Sequence, residues 1–465
     1  MNAGTFLFWS LGTLIALSPL PLGGNRPWAW ALLGLGVGFL VVLWAVAAFR
    51  NAALAPIEWR RSRLIVVPFA VLVFWFLAQA SGGMPEAWHH PLWREASGAL
   101  NAPLAGAISL NPEASRQAVL RLLTYGGVFW LAFQLGRNEK RARNIFWIVA
   151  MAGLAYAIYG LVAHLGGSQK ILWYPKWAYQ DSLTSTFVNR NHYATYAGVT
   201  LLACLALLLA EIRRIRRHSP IAAEDTLGFF DACGFRFYFL IVACGILFTA
   251  LLLSHSRGGF LSAAVGIGTF AVVAGMRLRE QRRSIEVLPM AVGGMLALSL
   301  LAAILAVSGK EVFNRLGDAA KTDRLAIYER TLEGIGDRPF LGFGLDTFKE
   351  SFRLYRDEGF RFYVDTIDHA HNTYLELAMG GGLPAFALLL FLAGYVTLLC
   401  FLGALRRRRN AIFPAAGVAV TALVGVHALA DFSLQIPAVA ITYLGLLGVA
   451  SAQSWSAREE AVSPS

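Results

Sequence analysis

The chain has 465 residues, of which 57% are hydrophobic and 15% charged, with a mean hydropathy of +0.56. That much apolar surface cannot be enclosed in one water-soluble core, so its solvent must be lipid. The formal net charge of +12 does not point to a nucleic-acid partner, because the basic residues fall in short clusters between apolar runs and form no single patch or stripe.

Crossing a hydrocarbon layer of about 30 Å takes roughly 20 apolar residues. Such runs lie near 5–22, 28–49, 64–80, 118–136, 145–165, 192–211, 237–254, 258–276, 286–307, 373–404, 411–430 and 437–453. The first, Thr5 to Leu22, lacks a basic leader segment and carries Pro19 and Pro21 where cleavage would need small residues, so it is expected to be a retained helix. The reading is an all-α integral membrane protein of about twelve transmembrane helices. Nine spans lie within 1–307, followed by a large outer loop at 308–372 that carries amphipathic helices, three spans within 373–453, and a tail at 454–465.

The clusters Arg50/Arg60/Arg61/Arg63, Arg137/Lys140/Arg141/Arg143, Arg213/Arg214/Arg216/Arg217, Arg277/Arg279/Arg282/Arg283 and Arg406 to Arg409 occupy alternate loops. The positive-inside rule places those loops, and with them both termini, in the cytoplasm. The loops 23–27, 81–117, 166–191, 255–257, 308–372 and 431–436 then face outward. Trp28, Trp88, Trp93, Trp173 and Trp177 lie in them or at their edges, as an interfacial aromatic belt would. Cys204, Cys244 and Cys400 sit in apolar runs and Cys233 in an inner loop, which gives neither a disulfide framework nor a zinc spacing. No internal repeat is visible, and the polar residues load one face of the membrane. This favours chemistry at the outer surface over alternating access.

In the large outer loop Asp323 is placed to cap a helix whose apolar side is Leu325, Ile327, Tyr328 and Leu332, and the stretch GDRPFLGFG then breaks it. A second short helix around Phe348, Phe352 and Tyr355 is expected to help the first roof a cavity. The loop ends on Asp368-His369-Ala370-His371-Asn372-Thr373. A histidine there can titrate near neutral pH and meet a lipid-borne substrate. No acidic or cysteine partners at metal spacing accompany the two histidines.

Arg190, in Thr184-Ser185-Thr186-Phe187-Val188-Asn189-Arg190-Asn191-His192, and Arg257, in Ser254-His255-Ser256-Arg257-Gly258-Gly259, fall at the outer ends of apolar runs. An arginine at that depth is costly without a partner. Its planar fork of donors matches phosphate oxygens, and two such arginines suit a lipid diphosphate, with snorkelling to headgroups as the other reading. His427 and Asp431, four apart, would share one helical face as a histidine–carboxylate pair in a supporting role.

These segments together resemble the O-antigen ligase family, within the wider group of ligases and polymerases that handle polyprenyl-diphosphate-linked glycans. The resemblance spans most of the chain and rests on TSTFVNRNHYATY, LLLSHSRGGFLS, GDRPFLGFGLDTF and HAHNTYLELAMGGG. The family pattern of His, then Asn, Ser or Gln, then nine residues, then Gly is met by His371, Asn372 and Gly382, which selects His371 over His369. The polymerases' arginine followed by ten residues and glycine is not met, since Arg190 leads to Leu201 and Arg324 to Ile335. This leans toward a ligase.

The resemblance implies a metal- and cofactor-free, inverting glycosyl transfer at the periplasmic face of a bacterial inner membrane. The donor would be undecaprenyl-diphosphate-linked polysaccharide and the acceptor a lipid A-core glycolipid. His371 would be the general base, with Arg190 and Arg257 stabilising the diphosphate. Asn372, His369, Asn191, His192, Arg324, His427 and Asp431 would bind substrate or support the site. A polymerase extending the same kind of glycan is the nearest alternative, and a glycolipid flippase a more distant one.

Overall fold

The computed structural model describes residues 2–218, 226–280, 319–356, 367–407 and 409–455. Eight described helices have the length and apolarity to cross a bilayer: α2 (Pro27–Arg50), α3 (Trp59–Gln79), α5 (Pro112–Leu135), α6 (Glu139–Leu165), α7 (Arg190–His218), α9 (Phe235–Leu253), α10 (Arg257–Glu280) and α14 (Leu383–Arg406). Three shorter apolar helices pack among them: α1 (Ala3–Leu17), α15 (Ile412–His427) and α16 (Pro437–Ala452). Eleven of the twelve expected runs therefore correspond to described helices, and the chain is an all-α integral membrane protein. The run at 286–307 lies outside the described residues, as do 308–318 and 357–366 of the large loop.

Local chemistry sets the helix starts. Proline stands in the first turn of α2, α5, α14 and α16, where its missing N–H is no loss. The Asn111 and Asn138 side chains accept backbone N–H groups at the starts of α5 and α6.

Burial sorts the helices. In α7 94% of the apolar stretch is buried, against 17% in α2 and α14, so α7 runs through the centre and the other two face lipid. Leu35, Phe39 and Phe49 of α2 are accordingly exposed. At the basic end Arg137 donates to the carbonyls of Ala452 and Trp455, and Gln453 Nε2 to those of Gly136 and Arg137, fixing the end of α16 to the end of α5.

Elements that hydropathy does not announce lie between the spans. These are α4 (Leu92–Leu100), a small hairpin of β1 (Lys170–Ile171) with β2 (Tyr174–Pro175), and α8 (Thr226–Asp231). In the large loop α11 (Ala319–Asp337) is already helical at Ala319, so Asp323 lies inside this helix and is not its cap. The helix does stop at the GDRPFLGFG stretch, and α12 (Phe348–Phe352) follows, continued by a turn of tighter helix through Tyr355. Ile327, Ile335, Phe343, Phe348, Phe352, Ile367 and Met379 bury one another in a small separate core that holds this roof together.

The expected single run at 373–404 is two helices. α13 (Thr373–Gly381) stops at Gly382, and α14 starts afresh one residue later. Gly382 has φ of +77°, and a Cβ there would lie 2.4 Å from the carbonyl oxygen of Phe340. The 338–345 segment packs against this break with backbone bonds from Phe343 N to Met379 O (3.0 Å), Gly344 N to Gly380 O (2.9 Å) and Leu383 N to Pro339 O (2.7 Å). Gln79, at the end of α3, donates to both Leu341 O and Gly380 O, and Trp75 Nε1 donates to Gly381 O. The roof is thus bolted to the membrane bundle through a backbone junction that has no space for a side chain.

Gly382→Ala is expected to destabilise this junction by about 1–3 kcal/mol, the cost of forcing a side chain into a left-handed, crowded position. Limited proteolysis should then cut faster within 338–345, while unchanged cleavage and melting would show that the junction yields.

Candidate active site

Three helices start close together at one end of the bundle. Asn189, Ser256 and Asn372 cap α7, α10 and α13: Asn189 Oδ1 accepts Asn191 N at 2.8 Å, Ser256 Oγ accepts Gly259 N at 3.1 Å, and Asn372 Oδ1 accepts Tyr374 N and Leu375 N at 3.1 and 3.2 Å. The first helical residues are then Arg190, Arg257 and Thr373. Each start presents the positive end of a helix dipole, but at α13 the N–H groups of Thr373, Tyr374, Leu375 and Glu376 are already paired with Ala428 O, Asn372 Oδ1 and Asn372 O. Asn372, expected to touch substrate, has its carbonyl oxygen committed to capping.

The starts are joined through Asp431, in the turn between α15 and α16. Its carboxylate is fully buried. It accepts from Asn191 Nδ2 at 3.3 Å and from the Ser433 hydroxyl, and lies 3.6 Å from His192 Nε2. Asn191 Oδ1 in turn accepts from Ser256 Oγ at 2.8 Å, which ties the start of α7 to that of α10. Thr373 donates through N to Ala428 O and through Oγ1 to Asp431 O, both at 2.9 Å, and so brings in α13. The approach of α10 to α7 needs Gly259, because a Cβ there would fall 2.4 Å from that of Ala194.

The expected pairing of His427 with Asp431 is not what the structure shows. α15 ends at His427, so the four-residue spacing no longer keeps the two side chains on one face. His427 instead shares a hydrogen bond with Thr195 of α7 and faces Gly258, and His192 is the histidine beside the carboxylate. Burial raises the pKa of Asp431, but the charges of His192 and His427, the Ser433 hydroxyl and His371 together outweigh it and hold the carboxyl below its ordinary value.

His371 precedes the Asn372 cap with φ of +53°, a conformation that costs a non-glycine residue about 1–3 kcal/mol and clusters at functional sites. Tyr179, Ser185, His255 and Asp346, all at the same end of the bundle, share that sign of φ. The His371 carbonyl accepts the Tyr328 hydroxyl of α11 at 3.2 Å, and its half-buried ring lies 5.3 Å from Phe432. Its Nδ1 is buried without a hydrogen-bond partner among the described residues.

The two histidines of the motif are shifted in opposite directions. Burial, reinforced by the charge of Arg324, lowers the pKa of His371 below the ordinary histidine value, with Asp431 opposing. At His369 burial also acts downward, but the hydrogen bond and charge of Glu376, with Asp368 and Asp346, raise it overall. His369 Nδ1 lies 3.2 Å from Glu376 Oε2, and its ring stacks on Phe432 at 3.8 Å. One ring is thus biased toward the neutral form and its neighbour toward the cation.

Arg190 is half-buried, donates to Ser182 Oγ at 3.4 Å and lies over the Tyr179 ring at 5.3 Å, while its Nε is buried without a partner among the described residues. Arg257 is exposed at the tip of α10. Arg324 is exposed on α11, close enough that its charge acts on His371, Tyr328 and Tyr179. Phe432, Glu376, Tyr328 and Ser256 complete the surroundings without having been singled out as site residues. Glu376 alone carries a sequence signal, as a carboxylate in an apolar run.

No curated protein matches the chain. A family model described as O-Antigen ligase matches residues 242–390, an interval that holds Arg257, Arg324, His369, His371 and Gly382 and leaves Arg190, His427 and Asp431 outside. Residues 242–390, about a third of the chain, are thus similar to the O-antigen ligase family, which supports a ligase- or polymerase-type, glycosyltransferase-like function, and the chain that carries them is a multi-pass α-helical membrane protein.

Proposed function

We propose that this protein is an O-antigen ligase, transferring polysaccharide from undecaprenyl diphosphate to a sugar hydroxyl of a lipid A-core glycolipid at the periplasmic face of the inner membrane. The observation that carries the reading is the gathering, around Asp431, of two arginine-bearing helix starts and a histidine biased toward its neutral form. Helix N-termini and arginine forks both favour a diphosphate. The family match supports the reaction class, and the absence of glycine at positions 201 and 335 favours ligase over polymerase.

In this mechanism the acceptor hydroxyl gives its proton to His371 as its oxygen attacks the anomeric carbon. The bond from that carbon to the diphosphate oxygen breaks in line, the electron pair leaves with the diphosphate, and the anomeric centre inverts. Arg190 and Arg257, with the N–H groups of α7 and α10, meet the charge developing on the leaving group. Asp431 touches no reacting atom; it positions the helix starts. Tyr328 and the Asn372 cap fix the backbone on either side of the His371 ring.

The deciding experiment offers a synthetic lipid-diphosphate glycan to the purified protein with core glycolipid and free repeat unit side by side. Transfer to the core glycolipid is expected, and it should continue in excess EDTA. Extension of the repeat unit alone would make the protein a polymerase, and loss of transfer on chelation, restored by a divalent ion, would remove the metal-free mechanism.

The proton step has a definite sign. A base must be neutral to act, so kcat/KM should be flat around pH 7 and fall as pH drops through a value below 6.5, the ordinary histidine pKa from which His371 is lowered. His371→Gln should cost about 10²–10⁴ in rate and abolish that acid limb; an unaltered profile in the variant would assign the limb elsewhere. Arg257→Lys keeps the charge and loses the fork. It should lower transfer at least about tenfold with the melting temperature unchanged, and wild-type kinetics would remove Arg257 from the diphosphate site.

A further inference from the structure

The transfer described above gives no task to a recess among the described residues. A cavity of about 230 Å³ opens beside His369, between α5, the 346–350 stretch, the start of α13 and the turn at 432–436. Its polar wall is pre-assembled. Arg121 of α5 pairs with Asp346, Glu376 accepts from Ala370 N at 2.7 Å and from the Gln435 amide, and Glu350 accepts from Asn111 Nδ2 at 3.0 Å. Phe348, Phe432 and Ile436 supply apolar surface. Neither Arg190 nor Arg257, His371 or Asp431 lines it. The recess meets the catalytic side at Phe432, which stacks on His369 at 3.8 Å and lies 5.3 Å from the His371 ring.

The lining chemistry selects against an anion. Asp346, Glu350, Asp368 and Glu376 stand against Arg121, Lys349 and a His369 already paired with Glu376. A diphosphate would meet more carboxylates than cations. Fixed carboxylates and amides beside apolar side chains instead offer acceptors to hydroxyl groups and contact to the C–H face of a ring. The volume is below the roughly 300–1,000 Å³ of a drug-sized site, suited to one sugar ring. Geometry also decides which sugar. The donor's first sugar is bonded to the diphosphate and must stay beside the arginines, while in-line displacement needs the attacking hydroxyl to arrive from the far side of the anomeric carbon.

We infer that this cavity is a specificity subsite for the acceptor, holding one uncharged sugar ring of its glycan so that a hydroxyl of the adjoining sugar reaches His371. The inference rests on the transferase reading above.

The test uses the full chain in lipid nanodiscs with a lipid-diphosphate glycan donor and core glycolipid acceptor. Glu350→Gln should raise the acceptor KM about tenfold, as loss of a hydrogen bond to a charged group does, with donor KM and donor hydrolysis to water unchanged. Asp346→Asn should do the same, and melting of each variant separates a binding defect from misfolding. Unchanged acceptor KM in both folded variants overturns the subsite, as does a rise in donor KM in place of acceptor KM. Saturation-transfer NMR with the oligosaccharide released from the core glycolipid reads contact without turnover. The wild type should show ring-proton contacts that inorganic diphosphate does not displace and that weaken in both variants. Contact without any transfer would sink the transferase reading and keep the sugar site, whereas transfer without contact would remove the subsite alone.

Discussion

A fully buried carboxylate is expensive unless its oxygens are met by donors, and Asp431 is met by Asn191 and His192 at the start of α7 and by the Ser433 hydroxyl. That requirement organises this end of the molecule. Asn191 must turn its amide to Asp431, which leaves its carbonyl for Ser256 and so draws the tip of α10 to the tip of α7. The backbone carbonyl of Asp431 then accepts Thr373 and holds the start of α13. Arg190, Arg257 and His371 come from parts of the chain far apart in sequence, and the same short network of polar bonds places all three.

The roof depends on a different economy. At the α13–α14 break, backbone pairs with backbone across a gap too narrow for a Cβ, and Gln79 and Trp75 of α3 satisfy the carbonyls that remain. Polar backbone near lipid depth must find protein partners, and here the partners are supplied by a membrane-crossing helix. The His371 backbone consequently stands on the same rigid body as the spans, though it belongs to the loop.

Hydropathy alone reveals the spans, because a lipid-facing helix such as α2 needs little beyond apolar length. The break at Gly382 is hidden because both sides of it are apolar, and only its neighbours' backbone shows why a glycine is needed there. The His427–Asp431 pairing misleads for a related reason. A four-residue spacing is informative only while the helix continues, and α15 stops at His427. Arg190 and Arg257 are legible as costly charges at membrane depth, and the histidine motif as a titratable group in the right place. Their mutual approach is not legible, since it runs through Asn191 and Ser256, whose bonds cross sequence distances that local patterns do not encode. Phe432, standing between the two histidines of the motif, gives no sequence signal at all.

The nine residues that separate Asn372 from Gly382 are the whole of α13. At 1.5 Å per residue that helix is about 13 Å long, and both its ends are fixed, one by the Asn372 cap and the other by the glycine junction. It is therefore a ruler between the membrane span α14 and the His371 ring. Its graduations are coarse in angle, because one residue more or less would swing the ring by about 100° while moving it only about 1.5 Å. A substitution within α13 keeps that residue count, whereas an insertion or deletion would aim the histidine at a different wall. A spacing of nine is thus a constraint on direction more than on distance.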